Sequence, residues 1–222
     1  MLFEMSDRGR LVQEQLERFM HEHVYPNERV VESQIEEGGD PHAEPPILRE
    51  LRAKAKGIGL WNLFLPDEEW GAGLTNLEYT PLCEIMGRSP IAPRVFNCQA
   101  PDTGNAEILA EFGSEEQKKR WLVPLLEGEI RSCFSMTEPE VSGADPTGLQ
   151  TRAVRDGDSY VIDGHKWYTS GAIGAAFAIV MVVTDPDAPP HQRMSQIIVP
   201  TDAPGFQLLR AVSVMGHKGG GG

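Results

Sequence analysis

The chain has 222 residues, 40% of them apolar and 24% charged, enough for one large domain or two small ones with real cores. Its formal net charge of -13, from 33 acidic against 20 basic residues, disfavours nucleic acid and anionic lipid as partners, and no apolar run approaches the ~18 to 20 residues of a membrane span. The opening "MLFEMSDRGR" is too charged for a secretory signal and too acidic for a transit peptide, so the expected location is cytoplasmic, or mitochondrial if a eukaryotic transit segment is missing from the chain.

Residues 7 to 25 read as an amphipathic helix, with Val12, Leu16, Phe19, Met20 and Val24 at helical spacing and Pro26 as its stop. Residues 36 to 46, "EEGGDPHAEPP", read as a loop. "PILRELRAKAKGIG" is a second helix with Ile47, Leu48, Leu51 and Ala55 on one face. Thr75 and Glu78 form a capping-box pattern that opens a helix to about Gly87, disturbed early by Pro81. A proline-broken connection, "RSPIAPRVFNCQAPDTG", leads to a helix "NAEILAEFG". Ser114 and Gln117 repeat the capping pattern before a helix through Trp121, Leu122, Leu125 and Leu126, closed by Gly128.

The period then changes. "IRSCFSMT" alternates as a strand, and Asp-Gly steps at 156 and 163 read as hairpin turns. "AAFAIVMVVTD" is a buried strand, and "SQIIVPTD" and "GFQLLRAV" complete a meander. About five helices followed by about five strands give an α+β multidomain class: an all-α domain over 1–131 and a β domain over 132–222. The four terminal glycines are not expected to pack a strand, and the sequence is expected to be cut inside a domain.

Several chemistries lack support. Cys83, Cys98 and Cys133 are far apart, without a C-x-x-C, and read as reduced thiols rather than a disulfide framework or zinc site. His21 and His23 at i, i+2 point to different sides of a helix, and His42, His165, His191 and His217 are scattered, so no metal is expected. The run "SEEQKKRW" pairs Glu115 with Lys119 and Glu116 with Arg120 on a solvated helix face. No P-loop, G-x-G-x-x-G or G-x-S-x-G occurs in a supporting context.

Two segments remain. "FSMTEPEVSGAD" places a hydroxyl, amides and small residues at a strand end, where backbone N–H groups can approach a ligand closely. "HKWYTSG" puts Trp167 two residues before Thr169. An aromatic plane, a hydroxyl and free amides suit a flat heteroaromatic ligand, but a plain strand–turn with a core Trp has the same pattern.

These two segments resemble the flavin-binding signatures of the acyl-CoA dehydrogenase family, in "CFSMTEP" and "DGHKWYTSG". Upstream, "GLWNLFLPDEEWGAGLTNLEY", "EIMGRSPIAPRVFNCQAPDTGN" and "FGSEEQKKRWLVPLLEGEIRSCFSMTEP" are similar to its members ten and eleven and their bacterial relatives. The resemblance implies an N-terminal helical domain, a middle β-barrel domain, incomplete here, and a C-terminal four-helix domain absent from this chain. It implies FAD as cofactor and α,β-dehydrogenation of acyl-CoA to trans-2-enoyl-CoA in fatty-acid β-oxidation. A glutamate base would remove the α-proton while the β-hydride passes to the flavin. That base is expected beyond Gly222, and Glu138 is read as part of the loop. As written, the chain alone is expected to be inactive.

Carried over by position, Phe134, Ser135, Met136, Thr137, Ser142, Gly143 and Ala144 would face the cofactor, with Phe134 and Ala144 also at the acyl pocket. Met136 and Thr137 would bond the ring edge. Trp167, Tyr168 and Thr169 would cover the other side, tuning a cofactor that carries the chemistry. Where many members have Gly-Ser-Asp, this chain has Ser142-Gly143-Ala144-Asp145, so a hydroxyl is lost at Ala144. Electron-transfer flavoprotein as acceptor and homo-oligomerisation are further implications. An acyl-CoA oxidase or flavin monooxygenase on the same fold, or a non-catalytic acyl-CoA or protein-binding module, are the competing readings.

Overall fold

A computed structural model describes residues 5–40 and 42–214 and, for the backbone alone, 217–221. The chain divides into two compact units, Met1–Glu129 and Ile130–Gly222.

The first unit is helical. Helix α1 (Asp7–Phe19) starts at Ser6, whose hydroxyl accepts the Gly9 N–H at 3.0 Å. Its last turn widens into a π turn (Met20–Val24), tightens into a 3-10 turn (Tyr25–Asn27) and continues as α2 (Glu28–Gly38). Pro26 therefore does not stop the helix. It occupies the first turn of the 3-10 segment, where a missing N–H costs little. The loop expected from residue 36 begins only at Gly39, which caps α2 in the left-handed region at φ 70°. The sequence signal for α2 was the i, i+4 pair Val31 and Ile35, which packs against the core.

Helix α3 (Pro46–Gly57) buries Leu48, Leu51 and Ala55 as its pattern predicts. In α4 (Asn76–Met86) the capping box forms in both directions, and Pro81 is tolerated inside the helix. The proline-broken connection contains a short helix, α5 (Ala92–Val95), before α6 (Asp102–Phe112). The Ser114 box also forms, opening α7 (Glu115–Gln117), a second π turn (Lys118–Leu122) and α8 (Val123–Glu127). Gly128 ends α8 at φ 75°, and a Cβ there would lie 2.2 Å from Arg52 Nη2. Leu16, Met20, Leu48, Leu82 and Phe96 are fully buried in one core. His23 packs edge-on against Phe19 and His21 against Tyr25. Among the described residues no group of three His, Cys, Asp or Glu is placed to hold a metal, and no helix is long and apolar enough to cross a membrane.

The second unit is a mixed sheet. Strand β1 (Ser132–Ser135) pairs in parallel with β4 (Phe177–Val183), the buried central strand. Strands β2 (Arg152–Asp156) and β3 (Ser159–Asp163) form the hairpin that the Asp156-Gly157 step predicts. β2 also meets β4 in parallel at Arg152, and β5 (Met194–Pro200) runs antiparallel along the whole of β4. The sheet is open rather than closed into a barrel. Three expectations fail here. The Asp163-Gly164 step makes no hairpin, because Gly164 is needed for close approach: a Cβ there would lie 2.3 Å from Thr151 Oγ1. The plain meander is replaced by a parallel β1–β4 pair, since long-range pairing has no local signal. "GFQLLRAV" is irregular until β6 (Val212–Val214), which pairs with β7 (His217–Gly221), so three of the terminal glycines do lie in a strand, using backbone groups alone. Gly222 and the side chain of His217 lie outside the described residues.

One carboxylate joins two helix starts. Glu78 Oε2 accepts the Thr75 N–H at 2.9 Å and its hydroxyl at 2.8 Å, while Glu78 Oε1 accepts the Ser6 hydroxyl. These bonds, Ser6 first, hold the Glu78 carboxyl below its usual range. Thr75→Ala is expected to lower unfolding stability by about 1 kcal/mol, read as a lower urea midpoint with an unchanged slope. An unshifted midpoint would show that the box does not contribute.

Candidate functional site

The end of β1 is held to a distant segment through its main-chain carbonyls. The Thr137 carbonyl accepts the Trp167 N–H at 2.8 Å, and the Met136 carbonyl accepts Lys166 Nζ at 2.9 Å. Both carbonyls of the "MT" step are therefore used inside the protein. The Thr137 and Thr169 hydroxyls have no partner among the described residues and remain available to a ligand.

Glu138 is the electrostatic centre of this arrangement. It is 6% exposed, yet its carboxylate is surrounded by donors. Oε1 accepts Lys166 Nζ at 2.9 Å and the Thr151 N–H at 2.9 Å, and Oε2 accepts the Gln150 N–H at 2.7 Å. Burial alone would raise this carboxyl, but the bonds from Lys166, Thr151 and Gln150 outweigh it and hold the pKa down to about 2. Burial in turn lowers Lys166, against the pull of Glu138. A carboxylate this well satisfied is a poor proton acceptor, which excludes Glu138 as a general base on physical grounds.

The loop that follows is ordered by its own short side chains. Asp145 accepts the Thr147 N–H at 3.0 Å and its hydroxyl at 2.6 Å, and Ser142 accepts the Ala144 N–H at 3.3 Å. The Thr147 bonds hold the Asp145 carboxyl below its usual value. Gly143 faces Thr137 closely, since a Cβ at 143 would lie 2.9 Å from Thr137 Oγ1.

On the second segment the Trp167 ring packs edge-on against Tyr168, with centroids 5.2 Å apart. The Arg210 guanidinium carbon stands 5.4 Å from the Trp167 ring centroid. Tyr168 adopts φ 53°, a left-handed conformation that costs a non-glycine residue about 1 to 2 kcal/mol. A cavity of about 610 Å³ opens here, with Ser135, Lys166, Trp167, Tyr168, Thr169 and Arg210 in its walls. Among the described residues no Asp or Glu lines it, in a chain with 33 of them.

Of the residues singled out in the sequence, Ser135, Trp167, Tyr168 and Thr169 share the cavity wall. Met136 and Thr137 abut it through their bonds to 166 and 167, and Gly143 through Thr137. Phe134 is half-buried on β1, outside the cavity wall, and Ser142 and Ala144 are exposed on the loop. The ion pair of Glu138 with Lys166, the fit of Gly164 against Thr151 and the place of Arg210 are contacts between distant segments. The opposite charges of "TEP" and "HKW" were the one readable hint of the first. Nothing local announces the other two.

A family model for the acyl-CoA dehydrogenase N-terminal domain matches residues 6–129, and one for the acyl-CoA dehydrogenase middle domain matches 133–221. Acyl-CoA dehydrogenase family member 10 of Mus musculus is 48% identical over 219 residues, 96% of this chain and 20% of that protein. Acyl-CoA dehydrogenase family member 11 of Gallus gallus is 47% identical over 222 residues, 97% of this chain and 28% of that protein. A solved Mycobacterium abscessus structure, named as an acyl-CoA dehydrogenase, superposes with a TM-score of 0.92 at 45% identity, over 99% of this chain and 57% of that one. A glutaryl-CoA dehydrogenase from Mycobacterium smegmatis in complex with FADH2 gives a TM-score of 0.69 at 26% identity, over 94% of this chain and 50% of that one. The chain thus spans between a fifth and a little over half of the proteins it resembles.

The Glu138 contacts set a pH signature. Its folded pKa, about 2, lies below the unfolded value, so its stabilisation is fully present above about pH 4.5 and is lost as pH falls towards 2. The size is about 3 kcal/mol. Glu138→Gln is expected to remove that part of the acid slope in urea unfolding. It also lowers stability at pH 7 by about 3 kcal/mol or more, because Lys166 is left buried without its counter-charge. A variant that keeps the wild-type acid slope would refute the assignment.

Proposed function

The chain belongs to the acyl-CoA dehydrogenase family, and on that premise we propose that it carries the flavin-facing part of an FAD-dependent acyl-CoA dehydrogenase. The observation that carries the reading is the Thr137–Trp167 main-chain bond, which brings the two flavin-type motifs to one cavity. The residues there fit the cofactor in three ways. The Thr137 and Thr169 hydroxyls lack partners among the described residues. The glycine at 143 keeps a Cβ from crowding Thr137 Oγ1. Among the described residues the cavity wall carries Arg210 and no carboxylate, which favours an anionic ligand.

In this reading Thr137, Thr169 and backbone groups of 135–137 bond the ring edge, Trp167 and Tyr168 cover its apolar part, and Ser142 to Ala144 lie towards the phosphates or the acyl pocket mouth, with Phe134 beside them. Bound FAD supplies the two-electron acceptor for α,β-dehydrogenation of an acyl-CoA thioester to the trans-2-enoyl product, as in fatty-acid β-oxidation. The chain's own work is to bind, orient and exclude water. The α-proton has no acceptor assigned within this chain, Glu138 being excluded. Electron-transfer flavoprotein as acceptor and a homo-oligomeric assembly belong to the same proposal. The FADH2 held by the M. smegmatis glutaryl-CoA dehydrogenase supports the cofactor choice.

The protein expressed from its full reading frame is expected to be yellow and to bleach when a saturated acyl-CoA is added without oxygen. Flavin that stays oxidised with every acyl chain length argues against dehydrogenation, and bleaching followed by fast reoxidation in air points to an oxidase. Thr137→Ala is expected to weaken FAD retention, or make flavin reduction harder, by about 1 to 3 kcal/mol. Unchanged affinity together with an unchanged potential would remove Thr137 from the site.

A further inference from the structure

Resting on the flavin reading above, we propose that Arg210 is a positioning residue, its guanidinium fixing the plane of the Trp167 indole and, through that plane, the seat of the flavin ring.

Trp167 is held differently at its backbone and at its ring. Its backbone is anchored by the N–H bond to Thr137 at 2.8 Å, which leaves the indole free to turn about its side-chain torsions. Two groups bear on the ring. Tyr168 meets it edge-on, but the tyrosine is itself 54% exposed. Arg210 lies over the ring at 5.4 Å, within the ~6 Å over which a cation is attracted to an indole face. No carboxylate competes for it: among the described residues Arg210 has no ion-pair or hydrogen-bond partner. Its segment is irregular from Phe206 to Ala211, so no strand pairing dictates where the guanidinium goes. Leu208 and Leu209 beside it are 49% and 66% exposed, so the segment is not pinned by burial there. The contact with the indole is then the specific interaction available to this side chain. A planar guanidinium can lie flat against a ring, which a lysine ammonium cannot. Trp167 and Arg210 are 43 residues apart in sequence and meet only where residues 203–210 line the cavity.

The test compares wild type, Arg210→Ala, Arg210→Lys, Trp167→Leu and the Arg210→Ala/Trp167→Leu double variant, all expressed from the full reading frame. FAD dissociation and the visible circular dichroism of the bound flavin are the readouts. Arg210→Ala is expected to weaken FAD roughly two- to five-fold, the size of an exposed cation–π contact, and to alter the flavin dichroism. Arg210→Lys is expected to fall between it and wild type. In the Trp167→Leu background, removing Arg210 should add nothing further. Wild-type affinity and dichroism in Arg210→Ala would overturn the proposal, as would an equal loss on removing Arg210 with and without the indole. A wild-type protein that takes up no FAD fails the flavin reading instead. The near-ultraviolet tryptophan dichroism, which needs no flavin, then decides the stack: a change in Arg210→Ala supports it, and an unchanged spectrum overturns it.

Discussion

A carboxylate buried as deeply as Glu138 must be surrounded by donors or give up its charge. The donors come from two distant places, the start of β2 at Gln150 and Thr151 and the segment after β3 at Lys166. Satisfying one side chain therefore fixes three stretches of backbone at once. The end of β1 is held by Lys166 on the Met136 carbonyl and by Trp167 on the Thr137 carbonyl. If Glu138 were unpaired, the penalty would fall on every one of these contacts together. That is why the wall of the cavity can be built from irregular backbone, which by itself has no ladder to hold it.

Close approach does the rest. Gly164 lets the chain pass against Thr151, next to the Glu138 carboxylate, and Gly143 lets the loop pass against Thr137. Tyr168 accepts a left-handed backbone, a local cost met by the bonds on either side of it at Trp167 and Thr169. Strain at such a point persists only where the surroundings over-determine the conformation. Here the over-determination is explicit: the N–H of 167 and the carbonyl of 169 are both bonded, so the residue between them has little freedom.

The elements that were legible in the sequence are those whose causes are local. Thr75 with Glu78 and Ser114 with Gln117 satisfy helix-start donors within four residues, and both boxes form. Asp156-Gly157 turns a hairpin because the turn needs nothing but its own backbone. Asp163-Gly164 looks the same and does not turn, because its glycine answers to Thr151 across the fold. Pro26 looks like a stop and is not, because it falls where the π turn gives way to a 3-10 turn, in that turn's first positions. The parallel pairing of β1 with β4 joins residues some forty-five apart, and no window of sequence contains both partners. At the cavity the same division holds. Trp167, Tyr168 and Thr169 were readable as a motif, while Lys166 and Arg210 take their roles from partners brought by folding.

The charges at the cavity are divided between two tasks. Lys166 has an 11% exposed side chain and is committed to Glu138, so its charge is largely cancelled before any ligand arrives. A buried pair of this kind contributes little net attraction to a third group, and its value lies in fixing geometry. Arg210 faces the same cavity without a carboxylate partner among the described residues, over an aromatic plane that leaves its charge intact. In a chain of net charge -13, an anion approaching from solvent meets repulsion over most of the surface. Among the described residues no Asp or Glu lines the cavity wall, and Arg210 on it has no carboxylate partner, which lessens that repulsion locally. The two basic groups of the wall thus differ in kind, a neutralised lysine that builds it and an arginine that stands over the Trp167 ring without a carboxylate partner among the described residues.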